Sequence, residues 1–304
     1  MLDAQRAKGG PIGPLHGIPV GIKDIFDTKS MPTQNGTVLD SGRQPHEDCK
    51  VVSLLKEAGA VIMGKTVTTE LAVFGPGKTK NPHNPAHTPG GSSSGSAAAV
   101  ASFMVPLAIG TQTNGSMIRP ASYCGVIGFK PTHGLIPRTG VLTASSPLDT
   151  VGTFARSLED IALITEALVA HDPGDSATRA RACPTLLETL ATEPPMRPMV
   201  AFAKTAVWDQ ADAATQEAFA ELVELLGDDC RDLPLSEPFD HCVDMHRNIM
   251  NADLARNYAG YYAKGKDKLT DTLCQMIEFG QKVSAVDYNT AIDGQDLLNS
   301  GLDM

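Results

Sequence analysis

An α/β fold is predicted by the alternation of helical and strand-like segments along the 304-residue chain. Residues 51–58 place apolar side chains at helical spacing and stop at Gly59, and residues 60–63 follow as a short apolar run of strand type. Residues 97–103, rich in alanine, read as a second helix and lead into a second strand at 105–109. Residues 157–169 form a third helix, because Ser157 is a good N-cap and Asp160, three residues on, completes an arrangement like a capping box.

The remaining elements fall around these three. Residues 1–7 resemble the tail of a helix. Ile18-Pro-Val-Gly-Ile22 is a short apolar run that reads as a strand entering a core. After His171-Asp-Pro-Gly174 the chain becomes more polar, and the prolines of residues 193–198 mark a loop before a strand at 199–203. Residues 213–226 predict an amphipathic helix with Phe219, Leu222, Val223 and Leu226 on one face. From 231 to 304 the pattern is helical without chemical motifs, and no internal repeat is evident.

Composition narrows the function. With 42% hydrophobic residues the chain can bury a substantial core. Its net charge of −10 and lack of a basic run disfavour nucleic-acid binding. No apolar run reaches 18 residues, so no membrane partner is expected. The six cysteines form no C-x-x-C pair and read as reduced thiols in a cytoplasm. The eight histidines show no H-E-x-x-H or other paired-ligand spacing, so neither a metal nor a Ser-His-Asp triad is signalled.

Three residues in glycine-rich surroundings carry the chemistry. They are Lys23 in Gly17-Ile-Pro-Val-Gly-Ile-Lys-Asp24, Ser92 in Gly90-Gly-Ser-Ser-Ser-Gly-Ser96, and Ser116 in Gly110-Thr-Gln-Thr-Asn-Gly-Ser-Met-Ile-Arg119. A serine hydroxyl attacks an amide only if a base takes its proton and fixed donors receive the charge that develops on oxygen. Lysine serves as that base only when neutral, which requires burial or a neighbouring positive charge. A lone lysine beside an apolar strand meets the first condition.

Taken together, these stretches resemble the amidase signature family from about residue 10 to about 157, with weaker echoes to about 227. The resemblance implies a mixed central β-sheet covered by helices on both faces, in a single domain spanning residues 1–304. Residues 1–170 then form the catalytic core, and 171–304 a helical and strand region covering the substrate side. It implies Ser116 as nucleophile, Ser92 as a relay joined to Gly91 by a cis peptide, and Lys23 as base. The backbone N–H groups of Thr113, Asn114, Gly115 and Ser116 then form the oxyanion hole. Asn114 departs from the pattern, where glycine is usual. Arg119 lies three residues past the nucleophile, a spacing that looks like that of malonamidases and related small-amide hydrolases, in which an arginine receives a substrate carboxylate. Thr111 is assigned to substrate binding by the same likeness.

The expected activity is hydrolysis of a small amide, anionic in one version, through an acyl-enzyme and without cofactors. The expected partners are that small-molecule substrate and, in a homodimer, a second copy of the chain. An amidotransferase subunit supplying ammonia for glutaminyl-tRNA formation shares the triad, and a silent fragment acting by association is the third reading. Family members are generally longer at both ends, so a truncated chain with an incomplete scaffold is expected. Two other motifs are weaker. Gly91-Ser-Ser93-Ser-Gly95 fits the G-x-S-x-G elbow, with Ser93 as nucleophile, but the segment before it is a loop with three prolines rather than a strand. Gly64-Lys65-Thr66 lacks the glycine spacing of a phosphate loop and is assigned a structural role.

Overall fold

The computed structural model describes residues 2–9 and 12–302. Helix α1 (Leu2–Ala7) is followed by β1 (Pro19–Lys23), α2 (Lys50–Glu57), β2 (Val61–Thr66), α3 (Ser94–Ala101), β3 (Leu107–Gln112), α4 (Ile118–Cys124), β4 (Ile127–Phe129), β5 (Thr150–Ala155), α5 (Leu158–Leu168) and α6 (Leu186–Ala191). Five strands form one mixed sheet in the order β2-β1-β3-β5-β4. β1 pairs in parallel with β2 and β3, whereas β5 runs antiparallel to both β3 and β4.

Helices cover the sheet on both sides, and the side-chain alternation of β3 shows how. Leu107 and Ile109 face one core, where they meet Val51, Val52 and Leu55 of α2 and Ile161, Ile164 and Leu168 of α5. Ala108 faces the other, built from the alanines of α3, Ala121 and Cys124 of α4, and Phe154. β5 obeys the same alternation, since Val151 belongs to the α2/α5 core and Phe154 to the α3/α4 core. The predicted N-cap of α5 is present, with Ser157 Oγ accepting from the Asp160 amide at 3.1 Å.

Several boundaries differ from the sequence expectation. α3 begins at Ser94, inside the serine run and ahead of the expected start at residue 97, because the Ser94 and Ser96 hydroxyls donate to the Val67 and Ile109 carbonyls outside the helix and so do not compete for its own backbone. The second strand starts two residues later than predicted, after Pro106, and continues to Gln112, close to Ser116. Helix α4, which contains Pro120, and strands β4 and β5 were not foreseen. β5 is buried along its whole length, so it lacks the polar–apolar alternation that announces a half-exposed strand.

The chain divides into two compact units, residues 1–191 with 253–278, and residues 192–252 with 279–304. In the second, β6 (Val200–Phe202) pairs in parallel with β7 (Cys230–Asp232), and α7 (Ala213–Leu226) connects them. Rings of Phe202, Trp208 and Phe219 meet there at 5.3–5.9 Å. The end of the chain is helical, as α8 (Cys242–Asn257), α9 (Ala259–Gly265), α10 (Asp271–Gly280) and α11 (Ala285–Leu302). Among the described residues, no helix is long and apolar enough to cross a membrane.

One packing detail seats the loop that carries Ser116. Met117, next to Ser116, is fully buried over a hollow left by Gly110 of β3, Gly128 of β4 and Gly152 of β5. A Cβ on Gly110 would stand 2.9 Å from Met117 Sδ, and one on Gly152 would stand 2.9 Å from its terminal methyl. Because the interior is close-packed, an added methyl must displace Met117 or the strand. Gly152→Ala is therefore expected to destabilise the protein by about 1–3 kcal/mol, read from the midpoint of urea unfolding. An unchanged midpoint would show that the hollow has slack.

Candidate active site

β1 and β3 are parallel neighbours, so their C-terminal ends open at the same edge of the sheet. Crevices at such ends are where open α/β sheets place their ligand sites. Lys23 is the last residue of β1, and Ser116 lies in the loop that leaves β3. Ser92 arrives from the loop preceding α3, and the Gly91–Ser92 peptide is cis.

Lys23 is 0% exposed, Ser92 3% and Ser116 7%. The Lys23 amine donates to Ser92 Oγ at 2.7 Å and to Thr111 Oγ1 at 2.9 Å. Burial lowers the Lys23 pKa from 10.5 to about 7, against an opposing pull from the negative charge of Asp149. The amine next to Ser92 is therefore substantially neutral near neutral pH, which is the state a base needs.

The loop that carries Ser116 is pinned from three directions. Gln112 Oε1 accepts from the amides of Met117 and Ile118 at 2.9 and 3.2 Å. Thr113 Oγ1 donates to Asp149 Oδ1 at 2.5 Å. Arg119 donates through Nη1 to the Gly91 carbonyl at 3.1 Å and through Nη2 to the Asn114 carbonyl at 2.7 Å. That guanidinium thus links the peptide preceding Ser92 to the loop preceding Ser116. Left-handed backbone in this loop falls on Gly115 (φ 72°), so Asn114 is spared the conformation for which glycine is favoured. Gly115 has a second reason to lack a side chain, because a Cβ would stand 2.7 Å from Arg119 Nη2.

Lys23, Ser92 and Thr111 are thus joined by direct hydrogen bonds, and Arg119 ties the Ser92 and Ser116 loops together. The Thr111 hydroxyl faces the lysine amine. Ser93 is fully buried, exchanges hydrogen bonds with the Thr111 backbone at 3.2 and 3.3 Å, and anchors α3 to β3. Lys65 fulfils the structural role expected of it, with its amine 3.1 Å from Asp24 Oδ1 and donating to the Phe26 carbonyl and Thr33 Oγ1. That braces the turn directly after Lys23.

Asp149 escaped the sequence reading. Antiparallel pairing sets Gln112 opposite Thr150, which brings residue 149 beside the start of the Ser116 loop although it is distant in sequence. No local signal marked it, because the segment that follows, Thr150–Ala155, mixes two threonines and a glycine with its apolar residues. A cavity of about 370 Å³ adjoins this corner, with Thr111, Thr113, Arg138, Asp149 and Asp175 in its wall. Neither Ser92 nor Ser116 lines it, so its link to Lys23 and the Ser116 loop runs through Thr111 and Thr113. Among the described residues, no group of three or more His, Cys, Asp or Glu side chains is placed to hold a metal ion.

Comparison with known proteins bears on the family and the fold. The A subunit of glutamyl-tRNA(Gln) amidotransferase from Thermobifida fusca (strain YX) is 40% identical over 232 residues, covering 74% of this chain and 46% of the relative. Its counterpart from Cutibacterium acnes is 36% identical over 272 residues, covering 86% and 54%. The chain therefore spans about half the length of these curated relatives. Among solved structures, a chain from a vestigial protein complex that bears on the origins of an s-triazine catabolic enzyme superposes with a TM-score of 0.90 at 27% identity, covering 99% of this chain and 67% of that one. Peptide amidase from Stenotrophomonas maltophilia superposes with a TM-score of 0.78 at 28% identity, covering 95% and 66%. The family model for amidases matches residues 1–293, and a buried lysine bonded to a serine beside a glycine-rich loop is thus the mark of a chain that belongs to the amidase family.

Proposed function

We propose that this chain carries the hydrolytic centre of an amidase that cleaves a carboxylic amide C–N bond, with Ser116 as nucleophile, Ser92 as relay and Lys23 as base. The observation that carries the reading is the fully buried Lys23 amine donating to Ser92 Oγ at 2.7 Å. Ser116 Oγ bonds to the amide carbon while its proton passes through the Ser92 hydroxyl to Lys23. The carbonyl oxygen takes up the electron pair and is met by backbone N–H groups of Thr113, Asn114, Gly115 and Ser116. Collapse breaks the C–N bond, and the departing amine receives the proton held on Lys23. Water then attacks the acyl-enzyme by the same relay, releasing an acid and regenerating Ser116.

The substrate is a small amide or ureide, and Arg119 is the residue proposed to receive a carboxylate on it, with Thr111 on the adjoining wall. Two of the five guanidinium N–H donors are spent on the Gly91 and Asn114 carbonyls, which aims the group and leaves others for a ligand. A second reading is favoured by the 40% identity to one component of an amidotransferase: a glutaminase centre that works within a complex. Hydrolysis of malonamate by the chain alone supports the first reading. Glutamine turnover that appears only with partner proteins supports the second.

Four outcomes follow from the proposed roles. Ser116→Ala should remove both turnover and the single mass adduct left by a fluorophosphonate; an adduct that survives there and disappears in Ser93→Ala would move the nucleophile. kcat/KM should rise with pH through a midpoint near 7, because Lys23 acts as base only after losing its proton. The same shift affects stability. Between about 7 and 10.5 the unfolded chain holds a proton that the native chain has lost, so native stability rises with pH there. Lys23→Met should therefore abolish activity yet stabilise the fold, most strongly below pH 7 and progressively less toward pH 10.5, in urea titrations at several pH values. Finally, Arg119→Ala should raise KM far more for malonamate than for a neutral amide of the same size; an equal loss for both would confine Arg119 to bracing the two loops.

A further inference from the structure

We propose that Asp149 is a positioning residue for the reaction of Ser116, holding Thr113 of the nucleophile loop through one carboxylate oxygen and acting on Lys23 through its negative charge. The inference rests on the reading of Lys23 as the base. Asp149 sits immediately before β5, is only 8% exposed, and is engaged entirely as an acceptor. Oδ1 receives the Thr113 hydroxyl at 2.5 Å, and Oδ2 receives the amides of Ala144 and Ser145 at 2.8 and 3.0 Å. Two amide donors on Oδ2 and the Thr113 hydroxyl on Oδ1 favour the ionised form of the carboxylate. Burial pushes its pKa up, and these same hydrogen bonds oppose that rise.

Other charged and titratable groups reach this corner from the surrounding segments. Arg138 donates to the Asp149 backbone carbonyl at 3.1 Å, but its guanidinium is paired with Asp175 at 2.8 Å. Tyr258 is fully buried and its ionisation is opposed by Asp149, so it stays neutral. Asp253 accepts from Ser145 Oγ at 2.6 Å, behind the amide that Asp149 itself binds. The charge that acts on Lys23 is that of Asp149, and it favours the protonated amine. One side chain thereby fixes where the oxyanion donors of the loop begin and how readily the base takes up the serine proton.

The two effects separate experimentally. The rate at which a fluorophosphonate labels Ser116 is measured from pH 5 to 9 in the wild type, Lys23→Met, Asp149→Asn, Asp149→Glu and Thr113→Val, with circular dichroism to verify folding. The wild type should show a midpoint near 7. Asp149→Asn removes the negative charge, so its midpoint should fall by about one pH unit. Its plateau should fall about tenfold or more, because an Asn oxygen kept on the Ala144 and Ser145 amides leaves only its Nδ2 to face Thr113, which reverses that hydrogen bond and frees the hydroxyl hydrogen. Asp149→Glu keeps the charge and displaces the oxygen, so the plateau should drop with the midpoint unmoved. Thr113→Val should do the same. An Asp149→Asn profile with wild-type midpoint and plateau overturns the proposal, as does a Thr113→Val plateau at the wild-type level. A flat wild-type profile, or wild-type labelling in Lys23→Met, would instead remove Lys23 as the base and with it the charge role of Asp149, while the plateaus would still judge the hold on Thr113.

Discussion

An amine buried without exposure, bonded to two hydroxyls, is the constraint around which the rest of this molecule is arranged. Moving a charged ammonium out of water is costly, whereas a neutral amine donating to Ser92 and Thr111 is tolerable. The fold enforces that choice by ending β1 at Lys23, between β2 and β3, with cores on both faces of the sheet. Lys65 then stabilises the turn beyond it through Asp24 and the Phe26 carbonyl. What would be a liability in an ordinary core is, in the proposed reading, a base prepared before any substrate arrives.

The chemistry was more legible in the sequence than the scaffold that holds it. Lys23, Ser92 and Ser116 stand out because glycine-rich segments around lone polar residues are hard to explain as packing. The parallel half of the sheet was equally readable, since β1, α2, β2, α3 and β3 announce themselves by apolar runs and by Gly59 as a stop. The antiparallel half was not. β5 contains Thr150, Gly152 and Thr153 and is buried throughout, and nothing local distinguishes it from a loop. Its polar residues are reconciled by contacts across the fold, as when Thr153 and Thr165 share a hydrogen bond at 3.2 Å. Asp149 was hidden for the same reason, because its meaning depends on pairing between β3 and β5.

The change from parallel to antiparallel pairing at β3 also explains why the site gathers where it does. A parallel neighbour delivers Lys23 to the same edge as the Ser116 loop, and an antiparallel neighbour delivers its first residue, not its last, to that edge. Lys23 and Asp149 therefore approach the β3 exit from opposite sides of the strand order. The glycines at 110, 128 and 152 complete the arrangement by letting Met117 sink into the sheet and draw its neighbour down with it.

The bracing guanidinium bears on how such a site diversifies. Gly115 is closed to substitution by Arg119, and residues 110–119 are bound to one another and to Gly91 so closely that most changes there would disturb both serines at once. In segment 139–143 of the adjoining cavity wall, Thr139 and Thr143 are exposed, whereas Val141 and Leu142 pack against the core and Gly140 has a φ of 80°. Those two threonines are therefore places in the wall where a side chain can be exchanged without moving either the core or the glycine-rich loops.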